Sequence, residues 1–235
     1  TVPWNVRSPF PPRRPWSTRW RVSSPQDSQR RTRAEGTFTQ QFEERWAAWN
    51  GLASVATSSW SGAALACLEY FTLRGKKVLC PTNTFIATPA VTRQAGAEVV
   101  FGDCNRTDLC LSYEAVVSAA AAHELAAVWL VHIGGHLAFD TPRIAEFCRS
   151  KGIVLLEDCA HAHGASWNSR KPGSWGDAGV YSFYGTKTIS TGEGGMVVSK
   201  HPDLIEFVRR YRNYGKPDYQ VRGLNYRMSE FTAAL

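Results

Sequence analysis

The sequence predicts an open α/β fold, in which a mostly parallel β-sheet carries helices on both faces. Short apolar runs, such as residues 153–156 and 178–183, alternate with stretches of helical periodicity. Polar and titratable residues follow several of these runs directly, at the position where open α/β sheets bind ligands. With 235 residues and 43% hydrophobic content, the chain is large enough for one substantial domain. No apolar run approaches the 18 residues of a transmembrane helix.

The elements are predicted from periodicity and from turn residues. Strands are expected at 54–57, 77–80, 98–101, 126–131, 153–156, 178–183 and 196–199, and helices at 37–49, 63–73, 88–95, 113–125, 142–151 and 202–214. Thr37 or Thr39 is the expected cap of the first helix, and Gly51 its end. Ser229 is the expected cap of a last helix that begins just before Leu235.

Residues 1–36 form a basic N-terminal arm, distinct from the folded domain predicted for residues 37–235. The arm holds eight arginines and two acids, so it carries +6 of the net charge of +7. Six prolines, three tryptophans and no periodicity predict an extended or disordered segment. Interleaved Arg and Trp are also compatible with single-stranded nucleic acid. We favour a segment that packs on a partner subunit, or a poorly ordered tail.

The cysteines and the loop acids do not indicate a metal site. Six cysteines are scattered without C-x-x-C spacing, which is typical of buried thiols in a reducing, cytoplasmic compartment, and no signal peptide is recognised. Asp103 and Asp108 are interpreted as turn residues, because metal binding needs a closer oxygen cluster. His132 and His136 have i,i+4 spacing, but the two glycines between them oppose a helical metal pair.

Two residues carry the strongest chemical signal. Asp158 follows a buried strand, and Lys187 lies between an apolar run and the glycine-rich residues 192–195. A lysine amine in such surroundings can lose its proton and become a nucleophile. A carboxylate for a ring nitrogen and a lysine for an aldehyde are what pyridoxal phosphate requires. Each residue alone is more often a turn or surface residue, but the pair, with Ser182 nearby, favours this cofactor.

A second signal is the turn S-S-W-S-G at residues 58–62, between a predicted strand and a predicted helix. Small residues there leave backbone N–H groups free at the positive end of a helix, which is a favourable phosphate site. Many turns of this composition bind nothing, so this signal alone is weak.

Several motifs together resemble the DegT-type sugar aminotransferase family of fold-type-I pyridoxal-phosphate enzymes. The motifs are E-D-C-A-H-A-H-G-A at 157–165, G-D-A-G-V-Y-S-F-Y-G-T-K at 176–187, G-E-G-G at 192–195, P-T-N-T-F-I-A-T at 81–88 and G-L-N-Y-R-M-S-E at 223–230. The resemblance extends from about residue 37 to the last residue. It implies an aspartate-aminotransferase-like large domain without the smaller C-terminal domain of the relatives.

The resemblance also implies a role for each site residue. Lys187 would form the Schiff base, Asp158 would hold the ring nitrogen protonated, and His161 would donate to the ring oxygen. The remaining cofactor contacts would be stacking by Phe85 and phosphate binding by Ser61, Gly62, Ser182 and Asn225. Because Asn225 would come from the other subunit, a homodimer with shared active sites is expected.

The implied reaction is transamination of a keto-sugar, with glutamate or glutamine as amino donor. A nucleotide-linked sugar is the expected acceptor, while an unlinked sugar or a cyclitol stays open. Two alternatives remain: a sugar dehydratase, which Lys187 opposes because the resembling dehydratases have histidine there, and a truncated or regulatory relative without catalysis. His163 could face the substrate or fill the pocket wall, and Glu193 could serve the substrate loop or cap a turn.

Overall fold

The computed structural model describes residues 36–235, so the N-terminal arm predicted for residues 1–36 lies almost entirely outside the described residues. The described part contains seven strands and seven α-helices, and helices and strands alternate through the first ten of these elements. In chain order they are α1 (Thr37–Asn50), β1 (Ala53–Thr57), α2 (Trp60–Tyr70), β2 (Lys77–Pro81), α3 (Ala87–Gln94), β3 (Glu98–Gly102), α4 (Tyr113–Ala122), β4 (Leu125–Val131), α5 (Thr141–Lys151), β5 (Val154–Asp158), β6 (Ala178–Ser182), β7 (Gly195–Ser199), α6 (Pro202–Tyr211) and α7 (Glu230–Ala234).

The strands form one sheet in the order β1-β7-β6-β5-β4-β2-β3. The pairs from β3 to β6 are parallel, whereas β7 is antiparallel to both β1 and β6. The mostly parallel sheet is therefore confirmed, with one reversed strand. Because of that reversal, Gly195 at the start of β7 pairs with Thr57 and Ser182, which end β1 and β6. These residues and the end of β5 consequently share one edge of the sheet.

Helices pack on both faces of the sheet, as predicted. Val197 of β7 lies in a cluster with residues of α2 and α6, while its neighbours Met196 and Val198 lie in a cluster with Trp46 of α1. A further cluster on the second face joins α4 and α5 to β4 and β5. This split follows from the alternation of side chains along a strand.

The predicted cap of α1 was wrong. Its N-cap is Gly36, which makes no side-chain hydrogen bond, and Gly51 ends the helix in a left-handed conformation as predicted. The backbone N–H groups in the first turn of α1 instead donate hydrogen bonds to a residue of α7. The Glu230 carboxylate accepts hydrogen bonds from the backbone nitrogens of Phe38 and Thr39, at 2.9 and 3.1 Å, and from the Thr39 hydroxyl. Because a carboxylate also suits the positive end of a helix, α7 replaces a local cap.

Helix α2 begins at Trp60, three residues before the predicted start, because Ser59 caps it through a hydrogen bond from the Gly62 N–H. Ser229 caps α7, as expected. The six cysteines are free thiols, of which only Cys104 is not fully buried. Among residues 36–235, no helix has the length and apolar character needed to cross a membrane.

Candidate functional site

Asp158 is the last residue of β5, and its carboxylate is oriented from two sides. Its side chain is 6% exposed. One carboxylate oxygen accepts a hydrogen bond from the Thr88 hydroxyl at 3.0 Å, and the other accepts one from the Ala160 N–H at 3.1 Å. Burial raises the pKa of Asp158, and these two hydrogen bonds oppose the rise in pKa only in part.

A hydroxyl relay supports this carboxylate from α3. The Thr84 hydroxyl donates to the Thr88 hydroxyl at 3.0 Å, and Thr88 donates onward to Asp158. Sequence reasoning gave Thr88 no role, although the residue ends the matched motif at 81–88. Nothing in the sequence shows that residues 88 and 158 are in contact, because β2 and α3 bring them together only when the sheet forms.

Glu157 is a second buried carboxylate that sequence reasoning missed. It accepts backbone N–H bonds from Gly173, Trp175 and Gly176, at 2.7–2.8 Å, and a bond from Nε2 of His132 at 2.9 Å. The other ring nitrogen of His132 accepts from the Ala138 N–H, so the ring is the neutral Nε2–H tautomer. The sequence did offer a signal for Glu157, because an ionisable residue there follows three apolar residues of the same strand. Glu157 ties the loops after β4 and β5 to the sheet.

Lys187 lies in the loop between β6 and β7. The loop is closed at its base, where the Phe183 N–H donates to the Gly194 carbonyl at 2.9 Å, and the Lys187 N–H donates to the Tyr184 carbonyl at 2.9 Å. The lysine is half-buried. Burial lowers the pKa of its amine, and the negative charge of Asp158 acts in the opposite direction. A part of the amine population is therefore shifted toward the nucleophilic form.

His161 completes a cluster with Asp158 and Lys187. Burial lowers the pKa of His161, the charge of Lys187 lowers it further, and Asp158 opposes both. The three side chains are therefore near enough for their charges to act on one another, although 26 residues separate His161 from Lys187. A lowered pKa favours the neutral imidazole, which can donate one hydrogen bond and accept another.

Phe85 lies just before α3, and its ring is 67% exposed. A ring of this size exposed beside the Thr84–Thr88 relay leaves a face open for stacking on a planar ligand.

The predicted phosphate residues differ in how available they are. Ser61 is exposed, whereas the Gly62 N–H already donates to the Ser59 hydroxyl at 3.2 Å. Gly62 is needed for close packing, because a Cβ there would lie 2.8 Å from the ring of Tyr226. Ser182 is buried at the end of β6, and its hydroxyl accepts from the Tyr184 N–H at 3.3 Å. The Ser182 hydroxyl, whose O–H is still available to donate, is therefore held in a more fixed orientation than the hydroxyl of Ser61.

Asn225 is exposed on a segment that is fixed beside α2. The Ser58 N–H donates to the Tyr226 carbonyl at 2.7 Å, and the Tyr226 N–H donates to the Arg212 carbonyl at 2.9 Å. The Asn225 side-chain oxygen accepts a long hydrogen bond, 3.4 Å, from the Arg227 N–H. The exposed amide of Asn225 is therefore able to contact a group outside this domain.

His163 is packed into the wall behind the site. It is 8% exposed, and its ring centroid lies 5.5–6.1 Å from those of Trp46, Tyr181 and Phe183. Neither ring nitrogen makes a hydrogen bond of standard geometry with any residue of the range 36–235. Burial lowers its pKa to about 4, and the backbone of Ser182 offsets this only in part. These contacts favour a packing role over a substrate contact.

The chain is similar in sequence to known aminotransferases. The sequence profile of the DegT/DnrJ/EryC1/StrS aminotransferase family matches residues 21–235. The chain is 32% identical over 209 residues to GDP-perosamine synthase of Escherichia coli O157:H7, covering 86% of this chain and 57% of that protein. It is 31% identical over 236 residues to L-glutamine:2-deoxy-scyllo-inosose aminotransferase of Streptomyces kanamyceticus, covering 93% of this chain and 53% of that protein.

The fold agrees with these matches. The crystal structure of DesI, determined in the presence of its TDP-sugar product, superposes with a TM-score of 0.77 at 33% identity, covering 85% of this chain and 51% of DesI. The chain thus spans little more than half the length of the relatives it matches. The profile match over most of the chain, together with this fold, shows that the chain belongs to the DegT/DnrJ/EryC1/StrS aminotransferase family.

Proposed function

We propose that this chain forms the pyridoxal-phosphate-binding large domain of a sugar aminotransferase. The observation that carries the proposal is the cluster of Asp158, His161 and Lys187 at one edge of the sheet. When bound, pyridoxal phosphate supplies a carbonyl that takes up an amino group and a ring that stabilises negative charge on the adjoining carbon. The three side chains have the chemistry that such a group needs.

The fit rests on the protonation state of each group. Burial raises the pKa of Asp158, so a cationic partner is needed to keep its carboxylate charged, and a protonated ring nitrogen provides one. The Thr88 hydroxyl and the Ala160 N–H hold the carboxylate in one orientation for that contact. The lowered pKa of His161 keeps an imidazole N–H available for the ring oxygen without adding a positive charge.

Lys187 has two tasks in this proposal. Its neutral amine would hold the cofactor through the carbonyl that the bound group supplies. The same amine, when free, would act as the general base that accepts a proton from Cα of the amino donor. The half-buried position suits both tasks, because burial lowers the pKa of the amine.

The proposed phosphate contacts come from the neighbouring strand ends. Ser182 and Ser61 supply hydroxyls, and the N-terminus of α2 supplies a positive dipole end. Gly62 would contribute its N–H only if the bond to Ser59 opened. Phe85 would stack on the ring, and its 67% exposure leaves a face for that contact.

A second copy of the chain completes the proposed site. Asn225 is exposed, on a segment fixed by hydrogen bonds to Ser58 and Arg212. An amide presented in this way supports a contact with the phosphate bound by the partner of a homodimer.

For the substrates we propose a nucleotide-linked keto-sugar as acceptor and glutamate or glutamine as donor. The relatives support the class, since one is a GDP-sugar enzyme and another uses L-glutamine on an inosose. The carbon that receives the amino group is left to experiment.

The test is the absorption spectrum of the purified chain with pyridoxal phosphate. We expect a band of the bound cofactor near the visible edge that requires Lys187 and that shifts when glutamate or glutamine is added. Lys187→Ala removes the band, while Lys151→Ala is the matched control, because Lys151 is an exposed lysine on α5. Identical spectra for the wild-type chain and Lys187→Ala would refute the proposal.

A further inference from the structure

A cluster of three different ligand types lies outside the proposed cofactor site. Asp108 and Cys110 belong to the loop between β3 and α4, and His136 belongs to the loop between β4 and α5. One ligand atom from each side chain lies within 4.8 Å of the other two. Asp108 and Cys110 are buried, and His136 is half-buried, so the histidine marks the side open to solvent.

Hydrogen bonds hold the two loops in this arrangement. The two oxygens of Asp108 accept from the Cys110 N–H at 3.0 Å and from the Phe139 N–H at 2.6 Å, so the carboxylate joins one loop to the other. Asp108 was interpreted from sequence as a turn residue, and these bonds show that it also spans two loops. Each oxygen has a further lone pair, so both bonds can persist when the carboxylate binds an ion.

The distances suit a small tetrahedral ion. Sγ of Cys110 lies 3.8 Å from Nε2 of His136. Zinc–sulfur and zinc–nitrogen bonds of about 2.3 and 2.05 Å at a tetrahedral angle place these two atoms about 3.6 Å apart. The other two pairs of ligand atoms lie within 4.8 Å of each other.

We propose that Asp108, Cys110 and His136 bind a zinc ion through one carboxylate oxygen, one thiolate and one imidazole nitrogen. Calcium and magnesium prefer oxygen ligands alone, whereas a mixed O, S and N set suits zinc. Three protein ligands leave the fourth position, on the side of His136, for water.

Two other interpretations of this cluster are weaker. A nucleophilic Cys–His pair needs a sulfur that a substrate can reach, but Cys110 is buried. A purely structural loop tie accounts for the two bonds of Asp108 and for the hydrogen bond between Cys110 and His136, but it does not explain why a carboxylate oxygen, a sulfur and an imidazole nitrogen all lie within 4.8 Å of one another.

The other Cys–His–acid group among the described residues is a poorer site. His132, Glu157 and Cys159 are all buried, and Glu157 already accepts four N–H bonds. An ion there would have to displace the bonds that hold two loops to the sheet.

The loop between β4 and α5, which carries His136, adjoins the proposed cofactor site. Gly135 lies beside the backbone of His161, where a Cβ would come within 2.9 Å of the carbonyl oxygen, and the His132 N–H donates to the Asp158 carbonyl at 3.1 Å. Both residues belong to the loop that carries His136. Zinc would therefore order a loop that contacts Asp158 and His161.

The test is titration of the metal-free chain with Zn²⁺ by isothermal calorimetry, and with Co²⁺ by absorption. We expect one ion per chain, a thiolate-to-cobalt absorption band, and release of the Cys110 proton. Proton release is measured by repeating the calorimetric titration in buffers of different ionisation enthalpy. The other titratable groups near the Cys110 thiol are Asp108, His136 and Cys104. Cys110→Ser and His136→Gln should each weaken binding at least about tenfold.

Cys104→Ser is the matched control, because this neighbouring thiol is hydrogen-bonded to the Thr82 hydroxyl at 3.8 Å and is not one of the three clustered ligands. It should keep the wild-type affinity and the cobalt band. Failure of the wild-type chain to bind more tightly than a Cys110→Ser/His136→Gln double variant would overturn the proposal, as would equal loss in Cys104→Ser. Circular dichroism of each variant confirms that it is folded. The outcome is independent of the cofactor test, since Lys187 and Asp158 are unchanged.

Discussion

Replacing His163 by phenylalanine should make the chain less sensitive to acid. The histidine is buried among three aromatic rings, and in the part of the chain that the structure describes neither of its nitrogens has a hydrogen-bond partner of standard geometry. Burial lowers its pKa from 6.5 to about 4. Between these values the unfolded chain binds a proton at this site and the folded chain does not. Stability is therefore lost as the pH falls below about 6.5, and the loss levels off below about 4.

The size of the effect follows from these two pKa values. A pKa of about 4 in place of 6.5 corresponds to a free-energy difference of about 3 kcal/mol between the two protonation states. Proton linkage gives a loss of about 2 kcal/mol in the free energy of unfolding between pH 7 and pH 5 from this one group. His163→Phe removes that contribution and keeps an aromatic ring in the cluster.

The assay is urea unfolding of both proteins at pH 7 and pH 5. Packing changes alter the free energy of unfolding at both pH values, so the measured quantity is the difference between them. We expect that difference to be smaller in His163→Phe by about 2 kcal/mol. Phe42→Leu is the control, since Phe42 packs on Phe183 in the same cluster and does not titrate. If wild type and His163→Phe lose the same stability between pH 7 and pH 5, the histidine is not buried in its neutral form.

Two further predictions concern the buried and capping carboxylates. In Glu157→Gln an amide NH2 replaces one carboxylate oxygen and faces N–H donors, so at least two charge-assisted hydrogen bonds are lost and the free energy of unfolding should fall by about 3–5 kcal/mol. Urea titration measures this loss, with Glu146→Gln as the control, since Glu146 is exposed and its replacement should change stability by less than about 0.5 kcal/mol. An equal effect of both substitutions would contradict the role of Glu157 in holding the two loops. Glu230→Ala should cost about 1–2 kcal/mol and speed amide exchange at Phe38 and Thr39, with the exposed Glu124→Ala as control; unchanged exchange would show that α1 does not depend on α7.

The sequence by itself determined the elements and the chemistry of the central motifs. Alternating apolar runs and helical periods are local properties, so the strand that ends at Asp158 and the loop that carries Lys187 could be placed from neighbouring residues alone. Family motifs identified the aminotransferase resemblance for the same reason, since each is a short contiguous stretch. Ser229 as the cap of α7 is likewise decided within one turn.

The tertiary structure alone decided which distant groups meet. Thr88 supports Asp158 across 70 residues, Glu230 caps a helix 191 residues away, and the Ser59 hydroxyl takes the Gly62 N–H that was expected to face a phosphate. The convergence of Cys110 and His136 was also hidden, because the loops after β3 and β4 come together only when both strands pair with β2. Hydrogen bonds and burial depend on distances in space, and a one-dimensional pattern records only separation along the chain.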